Sequence, residues 1–113
     1  MKRNMNIVRE LLIKIEENGI DDTYYTDNQE ECYHLQIMKD GGLVDGWVKD
    51  NGVDGYSSEI SRLTWRGHEF LDAIRDDGIW EKVKTHFKEK GVGMTIDAIY
   101  TVAGNMLSAI VNG

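Results

Sequence analysis

The amino-acid sequence of 113 residues predicts an α+β fold. Apolar residues recur at helical spacing in five segments, which predicts five helices. The stretches LVDGWV and YSSEISRL flank a loop that holds the turn pairs Asn51-Gly52 and Asp54-Gly55, which predicts a β-hairpin. Hydrophobic residues make up 41% of the chain, enough for the core of one domain of ordinary size.

The composition predicts a cytoplasmic protein. The single cysteine, Cys32, cannot form a disulfide within the chain, which suits a reducing cytosol. The N-terminal segment lacks the apolar run of a secretory signal. The uncharged stretch from Ala98 to Val111 has 14 residues, whereas a membrane span needs about 20. The formal net charge is −7, so a DNA-binding protein of this composition must concentrate its positive charge on one surface.

The first helix is predicted from an apolar stripe near the N-terminus. Asn4 is a candidate N-cap, and Gly19 is a candidate left-handed stop. The segment that follows, Ile20 to Thr26, has room for at most a brief extended stretch. The residues of the stripe are Met5, Val8, Leu11, Leu12 and Ile15.

The second helix is predicted from about Asp27 to Asp40. The pair Gly41-Gly42 is expected to end it, because glycine adopts the left-handed conformation at little cost. The spacing of a reciprocal capping box occurs twice at its start, in Thr26 with Gln29 and in Asp27 with Glu30. One side of the helix carries Cys32, Leu35 and either Met38 or Lys39.

Three further helices are predicted after the hairpin, over residues 65–76, 79–90 and 95–111. Thr64 is the expected cap of the first, and Asp77-Gly78 is the expected break after it. A helix that leads into a two-stranded wing is typical of winged-helix domains. We therefore expect a winged-helix-like domain over residues 1–91 and a C-terminal helical extension, residues 92–113, in the same structural unit. The expected core residues of the helix after the hairpin are Trp65, Phe70, Leu71 and Ile74.

Three stretches resemble a known protein family. They are MKRNMNIVRELLIKIE, YHLQIMKDGGLV and ISRLTWRGHEFLDAIRDDGIWEKVK. They are similar to a family of small proteins from bacteria and their phages that is known only as a domain of unknown function. The resemblance covers nearly the whole chain, and LTWRGHEFLDAIRDD is its most specific part. It implies a winged-helix-like fold and an association with phages, and it implies no catalytic residues.

The charge of the second helix argues against DNA binding. In a winged-helix DNA-binding protein this helix would read bases, after a supporting helix and a turn that the seven residues 20–26 cannot both hold. The helix has four acids against one base, and the wing region, residues 41–62, has four acids against two bases. Both would repel phosphates. In the DNA-binding alternative the contacting residues are four residues of the second helix that are expected to be exposed, Asn28, Gln29, His34 and Gln36, together with Lys49 and Arg62 of the wing region.

The residues that carry chemistry predict no enzyme, metal site or cofactor. The loop DNGVDGYSSEIS has Gly52 where a calcium loop requires Asp or Asn, and Ser61 where it requires a bidentate Glu. Cys32 and His34 are two residues apart on a helix and point in different directions, so they cannot bind one metal ion. The pairs Asp21-Asp22 and Asp76-Asp77 lie at helix breaks, where acids serve turns and caps. No phosphate loop or nucleophile elbow is present.

The last predicted helix indicates an oligomer. Asp97 is its single charged residue, so much of the helix surface must be buried. Gly104 and Ser108 would allow a second helix to approach closely. Packing within the subunit and pairing with a second copy are both open, and we expect a homodimer. The seam residues are Ile99, Ala103, Met106 and Ile110, at spacings of four, three and four residues.

These features together predict a small phage- or prophage-associated accessory protein. We expect it to act by binding an unidentified protein partner through a winged-helix scaffold. The alternative is a DNA-binding transcriptional regulator of the winged-helix class.

Overall fold

Helices and short strands alternate over the first part of the chain, and helices alone follow. The computed structural model describes residues 1–17 and 23–112. The expected stop at Gly19 and the pair Asp21-Asp22 lie outside these residues. In chain order the elements are α1 (Met5–Glu17), β1 (Tyr24–Tyr25), α2 (Gln29–Asp40), β2 (Val44–Asp50), a 3-10 turn (Gly52–Asp54), β3 (Tyr56–Leu63), α3 (Trp65–Ile74), α4 (Asp77–Lys90) and α5 (Ile96–Asn112).

The predicted α+β class is confirmed, with five α-helices and one three-stranded antiparallel sheet in the described residues. The chain divides into two compact units, residues 1–68 and residues 69–113. The boundary expected from the sequence, between residues 91 and 92, stays a prediction. No helix in the described part is long and apolar enough to cross a membrane.

The core of the first unit lies between its helices and the sheet. α1 packs on α2 and β3, and α2 packs on β2 and β3. The predicted stripe of α1 is confirmed, since all five of its residues are buried. Burying one such aliphatic side chain stabilises the fold by about 1.5–3 kcal/mol. The other buried apolar residues of this unit are Cys32, Leu35, Met38, Leu43, Val44, Ile60 and Leu63.

The helix caps are partly as predicted. The Asn4 side chain accepts a 2.9 Å hydrogen bond from the Asn6 N–H, as an N-cap residue does. α2, by contrast, is capped by Asn28, whose side chain accepts from the Glu31 N–H at 2.9 Å. Both expected capping boxes are therefore wrong. The Thr26 hydroxyl lies two residues before the N-cap and accepts from the Asn28 N–H instead.

The sheet has the strand order β1-β3-β2, and both pairs are antiparallel. The predicted hairpin is confirmed as β2 and β3, and β1 adds a third strand where a brief extended stretch is expected. The register shifts by one residue between Asp45 and Gly46. Gly46 is required at this bulge, because its φ is +148° and an added Cβ would lie 2.7 Å from the Ile60 Cα.

The helix after the hairpin buries Phe70, Leu71 and Ile74 as expected, but Trp65 is 80% exposed. The expectation that Trp65 is a core residue is wrong. Trp65 and Ile74 are nine positions apart in α3, and at about 100° per residue they lie on opposite sides of the helix. The first residue of α3 therefore faces away from the side that is buried.

The second unit contains α4 packed against α5. Asp76 caps α4, because its side chain accepts from the Ile79 N–H at 2.9 Å, and the helix therefore begins at Asp77 rather than at Ile79. Gly91 ends α4 in the left-handed conformation, with φ +67°. The buried residues on α4 are Ile79, Trp80, Val83 and Phe87.

Candidate interaction surface on the sheet

A row of three side chains crosses the sheet. Tyr25 of β1 is directly opposite Glu59 of β3, and Glu59 is directly opposite Trp47 of β2. Residues directly opposite each other in antiparallel strands point to the same face, so Tyr25, Glu59 and Trp47 form one row, here called the aromatic row. Tyr25 is 67% exposed and Trp47 is 41% exposed. Two large aromatic residues thus face solvent on one side of a small sheet.

An open groove of about 500 Å³ lies along the aromatic row. Its other lining residues are Thr26, Asp27, Ser57 and Ser58. The Thr26 carbonyl is fixed from two sides, because it accepts hydrogen bonds from the Ser58 hydroxyl at 2.8 Å and from the Cys32 thiol at 3.5 Å. The segment between β1 and α2 is therefore tied to β3 beneath the groove.

The charge of the groove is negative. Asp27 and Glu59 both line it, and Glu59 has no ion pair with another residue in the described ranges 1–17 and 23–112. The Lys49 ammonium lies 5.8 Å from the centroid of the Trp47 ring. This distance is within the about 6 Å over which an aromatic face attracts a cation.

β1 is held in place by a partly buried network that begins at Tyr24, on the opposite face of the sheet from Tyr25. The Tyr24 hydroxyl donates a 2.7 Å hydrogen bond to Glu31 of α2, and Lys14 of α1 lies 3.4 Å from the same carboxylate. Burial alone would raise the pKa of Glu31, but hydrogen bonds from Tyr24 and Thr26 and the charge of Lys14 hold its pKa below the ordinary value. Burial and the bond to Glu31 raise the pKa of Tyr24 well above its ordinary value. The network fixes Tyr24, and with it the neighbouring Tyr25.

Two of the residues expected to contact DNA are placed differently from the expectation. His34 is 0% exposed, so the expectation that it faces solvent is wrong. Its position on α2 is on the same side as the buried Leu35 and Met38, and both ring nitrogens have partners inside the protein. Asn28 is exposed, but its side chain is used as the cap of α2. Neither side chain is free to contact a base without breaking a bond.

The other four residues of the DNA-binding alternative are exposed or half-buried on the first unit. Gln29 is exposed at the start of α2, and Gln36 is half-buried and donates to Asp40 at 3.0 Å. The Arg62 guanidinium pairs with Asp45 at 2.9 Å. The Lys49 ammonium lies 5.8 Å from the centroid of the Trp47 ring. Both cations of the hairpin thus already have partners in the chain.

The residues expected at a dimer seam do not share one exposed face. Ile99 and Ala103 are 0% exposed and are covered by their own chain, so the expectation that they contact a second copy is wrong. α5 packs on α4, and this packing occupies part of the stripe that the sequence leaves open. Met106 is half-buried, and Ile110 is 62% exposed. Only the C-terminal end of the predicted seam faces solvent.

The described residues contain no group of three His, Cys, Asp or Glu side chains that would bind a metal ion. The one cysteine is buried, and burial raises the pKa of its thiol. A thiol with a raised pKa is a poor nucleophile, because the thiolate is the reactive form. Cys32 instead contributes to the core and donates to the Thr26 carbonyl.

The aromatic row is absent from the residues predicted as sites. Its members come from three strands, and the pairing of β1 with β3 joins residues more than 30 positions apart. Tyr25 lies in a segment too short to give a strand pattern. The available signal was compositional: two adjacent tyrosines in β1 and a tryptophan in β2.

Comparison with known proteins identifies a family that the sequence matches. Residues 2–93 match the family model described as "Hypothetical protein (DUF2513)". The chain is also similar to a protein of Haemophilus influenzae named "Uncharacterized protein", at 32% identity over 115 aligned positions that include 96% of this chain and 97% of the relative. No solved structure matches the chain. On the extent of these two matches, the chain belongs to the DUF2513 family.

Proposed function

We propose that this protein is a small accessory protein that acts by binding a protein partner through the aromatic row. The observation that carries the proposal is the exposure of Tyr25 and Trp47 on one face of the sheet. Exposed aromatic side chains are costly to leave in water, and tyrosine and tryptophan are enriched among the residues that supply most binding energy at protein interfaces.

The scaffold we propose is winged-helix-like. In its support, α2 leads through Gly41 and Gly42 directly into the hairpin of β2 and β3, and β1 pairs with the other side of β3. The strand between α1 and α2 occupies the place where a helix-turn-helix protein needs a supporting helix. A scaffold of this kind presents the aromatic residues Tyr25 and Trp47 on its sheet face.

The charges of α2 favour a protein partner over DNA. Its first turn carries Glu30 and Glu31, and its one basic residue, Lys39, lies in the last turn. A helix N-terminus attracts anions through its dipole, but two carboxylates there repel a phosphate. Binding a protein partner at the sheet face does not depend on attracting phosphates, because such a partner is recognised by apolar and hydrogen-bonding contacts.

The test is affinity capture with matched variants. Wild-type protein, Trp47→Ala and Trp65→Ala are immobilised and exposed to lysate from the source cells, and each captured protein is then purified and titrated against all three. We expect a partner that binds the wild type and Trp65→Ala alike and binds Trp47→Ala at least tenfold more weakly, about the effect of losing one central contact. A partner bound equally by all three would place the interface away from the aromatic row and overturn the proposal.

A DNA-binding transcriptional regulator is the second candidate. The succession of α2 and the hairpin favours it, with Gln29 and Gln36 on α2 and Lys49 and Arg62 on the hairpin as the contacting residues. Fluorescence anisotropy with labelled duplex DNA separates the candidates. Sub-micromolar binding at physiological salt, weakened by Gln36→Ala and falling steeply with added salt, would put DNA binding first. Binding that is absent even at low salt removes this candidate.

Three further features belong to the same proposal. A cytoplasmic location is supported by the single buried cysteine. An association with phages or prophages is supported by the family resemblance, and the neighbouring genes test it. A homodimer is supported by the exposed apolar end of α5, where Ile110 and Val111 are 62% and 82% exposed. Sedimentation equilibrium of the full chain tests the dimer.

A further inference from the structure

We propose that the groove along the aromatic row binds a positively charged side chain, foremost arginine, from a basic peptide segment of the partner. This inference rests on the proposed function, because it names the chemistry of the partner that the sheet face recognises. It is carried by the arrangement of Tyr25, Glu59 and Trp47 across three strands.

The aromatic row has the composition of a cation site. Tyr25 and Trp47 are two strand spacings apart, or about 10 Å, and Glu59 lies between them. Aromatic faces attract cations through the ring quadrupole, and the carboxylate supplies an opposite charge and two hydrogen-bond acceptors. A flat guanidinium that enters between the rings meets both kinds of partner at once.

The charges around the groove complement a cation. Asp27 adds a second carboxylate to that of Glu59, and Glu59 has no ion pair with any residue in the described part of the chain. The whole chain carries a formal net charge of −7. A basic peptide would therefore be attracted at long range and paired at short range, whereas a phosphate would be repelled.

Lys49 is two positions from Trp47 on the same face of β2, and its ammonium lies 5.8 Å from the centroid of the Trp47 ring. Arginine suits the same ring better than lysine, because its planar guanidinium stacks on aromatic faces and pairs with a carboxylate through two parallel hydrogen bonds.

The test is an NMR titration of the ¹⁵N-labelled full-length protein with two blocked pentapeptides, Gly-Ser-Arg-Ser-Gly and the same peptide with citrulline in place of arginine. Citrulline has the shape of arginine without its charge. We expect the arginine peptide to shift the Trp47 indole signal and the amides of Ser57 and Glu59, with the citrulline peptide binding about tenfold more weakly, the effect of one charge-assisted contact.

Two variants serve as matched controls. Glu59→Gln keeps the size of the side chain and should weaken the arginine peptide about tenfold, towards the value for the citrulline peptide. Lys49→Gln removes a positive charge beside the groove, so it should bind the arginine peptide at least as tightly as the wild type. Unchanged amide spectra outside the groove confirm that both variants are folded.

The outcomes separate this inference from the proposed function. Equal binding of the two peptides, or no shift at about 10 mM peptide, overturns the cation site. A partner that depends on Trp47 in affinity capture would then still support the protein-binding function. Larger shifts of the same groove signals with a DNA oligonucleotide than with the arginine peptide would also overturn it, in favour of a nucleic-acid surface.

Discussion

The backbone N–H of Asn4 donates a 2.9 Å hydrogen bond to the Nε2 atom of His34. The Nδ1 atom of the same ring lies 2.7 Å from the Glu30 carbonyl oxygen. A neutral imidazole that donates from Nδ1 and accepts at Nε2 satisfies both partners. His34 is therefore a buried polar link between the start of α1 and the interior of α2.

Replacing this histidine should destabilise the first unit. His34→Leu keeps most of the volume but removes the hydrogen bond to the Asn4 N–H, and a typical hydrogen bond contributes about 0.5–1.5 kcal/mol to stability. The matched control is His68→Leu, because His68 is half exposed and surface substitutions change stability by about 0.5 kcal/mol or less. Urea unfolding followed by circular dichroism measures both. Equal stabilities of the two variants would mean that the link contributes nothing.

The second prediction concerns acid stability. The pKa of Glu31 is lower in the folded protein than its ordinary value, because the hydrogen bonds from Tyr24 and Thr26 and the charge of Lys14 outweigh its burial. A lowered folded-state pKa gives stability that is present above the unfolded-state pKa, about 4.3, and lost as the pH falls through the folded-state value. The unfolding free energy of the wild type should therefore decline across this acid range.

Glu31→Gln should flatten that decline and lower stability at neutral pH, because it removes the carboxylate whose pKa the fold lowers. At the alkaline end the sign is reversed. The pKa of Tyr24 is raised in the fold, so its contribution is lost as the pH rises above its unfolded value of about 10. Tyr24→Phe should remove the alkaline effect, and identical pH profiles for Glu31→Gln and the wild type would contradict the network.

A third prediction separates two glycines inside helices. An added Cβ at Gly67 of α3 would collide with the carbonyl oxygen of Leu43, whereas at Gly104 of α5 it would meet nothing within 4 Å. Gly67→Ala must therefore push backbone against backbone, and overpacking of this kind costs about 1–3 kcal/mol. Gly104→Ala should stabilise α5 by up to about 1 kcal/mol, the helix propensity difference.

Both variants make the same glycine-to-alanine change inside a helix. Thermal and urea unfolding therefore compare their stabilities directly. Two hydrogen bonds of Thr64 hold the backbones of Leu43 and Gly67 close together. The Thr64 N–H donates to the Leu43 carbonyl at 2.9 Å, and the Thr64 hydroxyl accepts from the Gly67 N–H at 3.0 Å. A destabilised Gly104→Ala would mean that a second helix packs closely on Gly104, as expected for a dimer that forms through α5.

Local features of the fold were predictable because they depend on short-range patterns. The stripe of α1, the end of α2 at the glycine pair and the hairpin of β2 and β3 all follow from periodicity and turn residues. The errors concern which side of a helix a residue occupies. Trp65 faces solvent although tryptophan is highly buried on average, and His34 faces the core on the same side of α2 as Leu35 and Met38.

The aromatic row was beyond the reach of sequence periodicity for a related reason. It exists only because β1, two residues long, pairs with β3 in the register that places Tyr25 opposite Glu59. Shifting that register by one residue would turn Tyr25 to the other face. No local pattern specifies this register, and it depends on contacts such as the bond from Tyr24 to Glu31.

The last prediction concerns α5. Deleting residues 94–113 should destabilise the second unit, because the buried side chains of α4 would lose the helix that packs on them. Ile99→Asp should have the same effect, since Ile99 is fully buried in its own chain. An isolated charge in a buried site is among the most destabilising substitutions. Both changes would destabilise the fold, so a loss of dimer in either variant could not be assigned to a lost dimer contact.

Ile110→Asp is the substitution that tests the dimer alone, because Ile110 is 62% exposed. We expect sedimentation equilibrium to give a dimer for the full-length wild type and a monomer for Ile110→Asp, with helical circular dichroism unchanged. Val53→Asp, at an exposed apolar residue of the other unit, controls for the added charge. If the wild type stays monomeric at the highest soluble concentration, the exposed end of α5 is not a dimer contact and the homodimer must be abandoned.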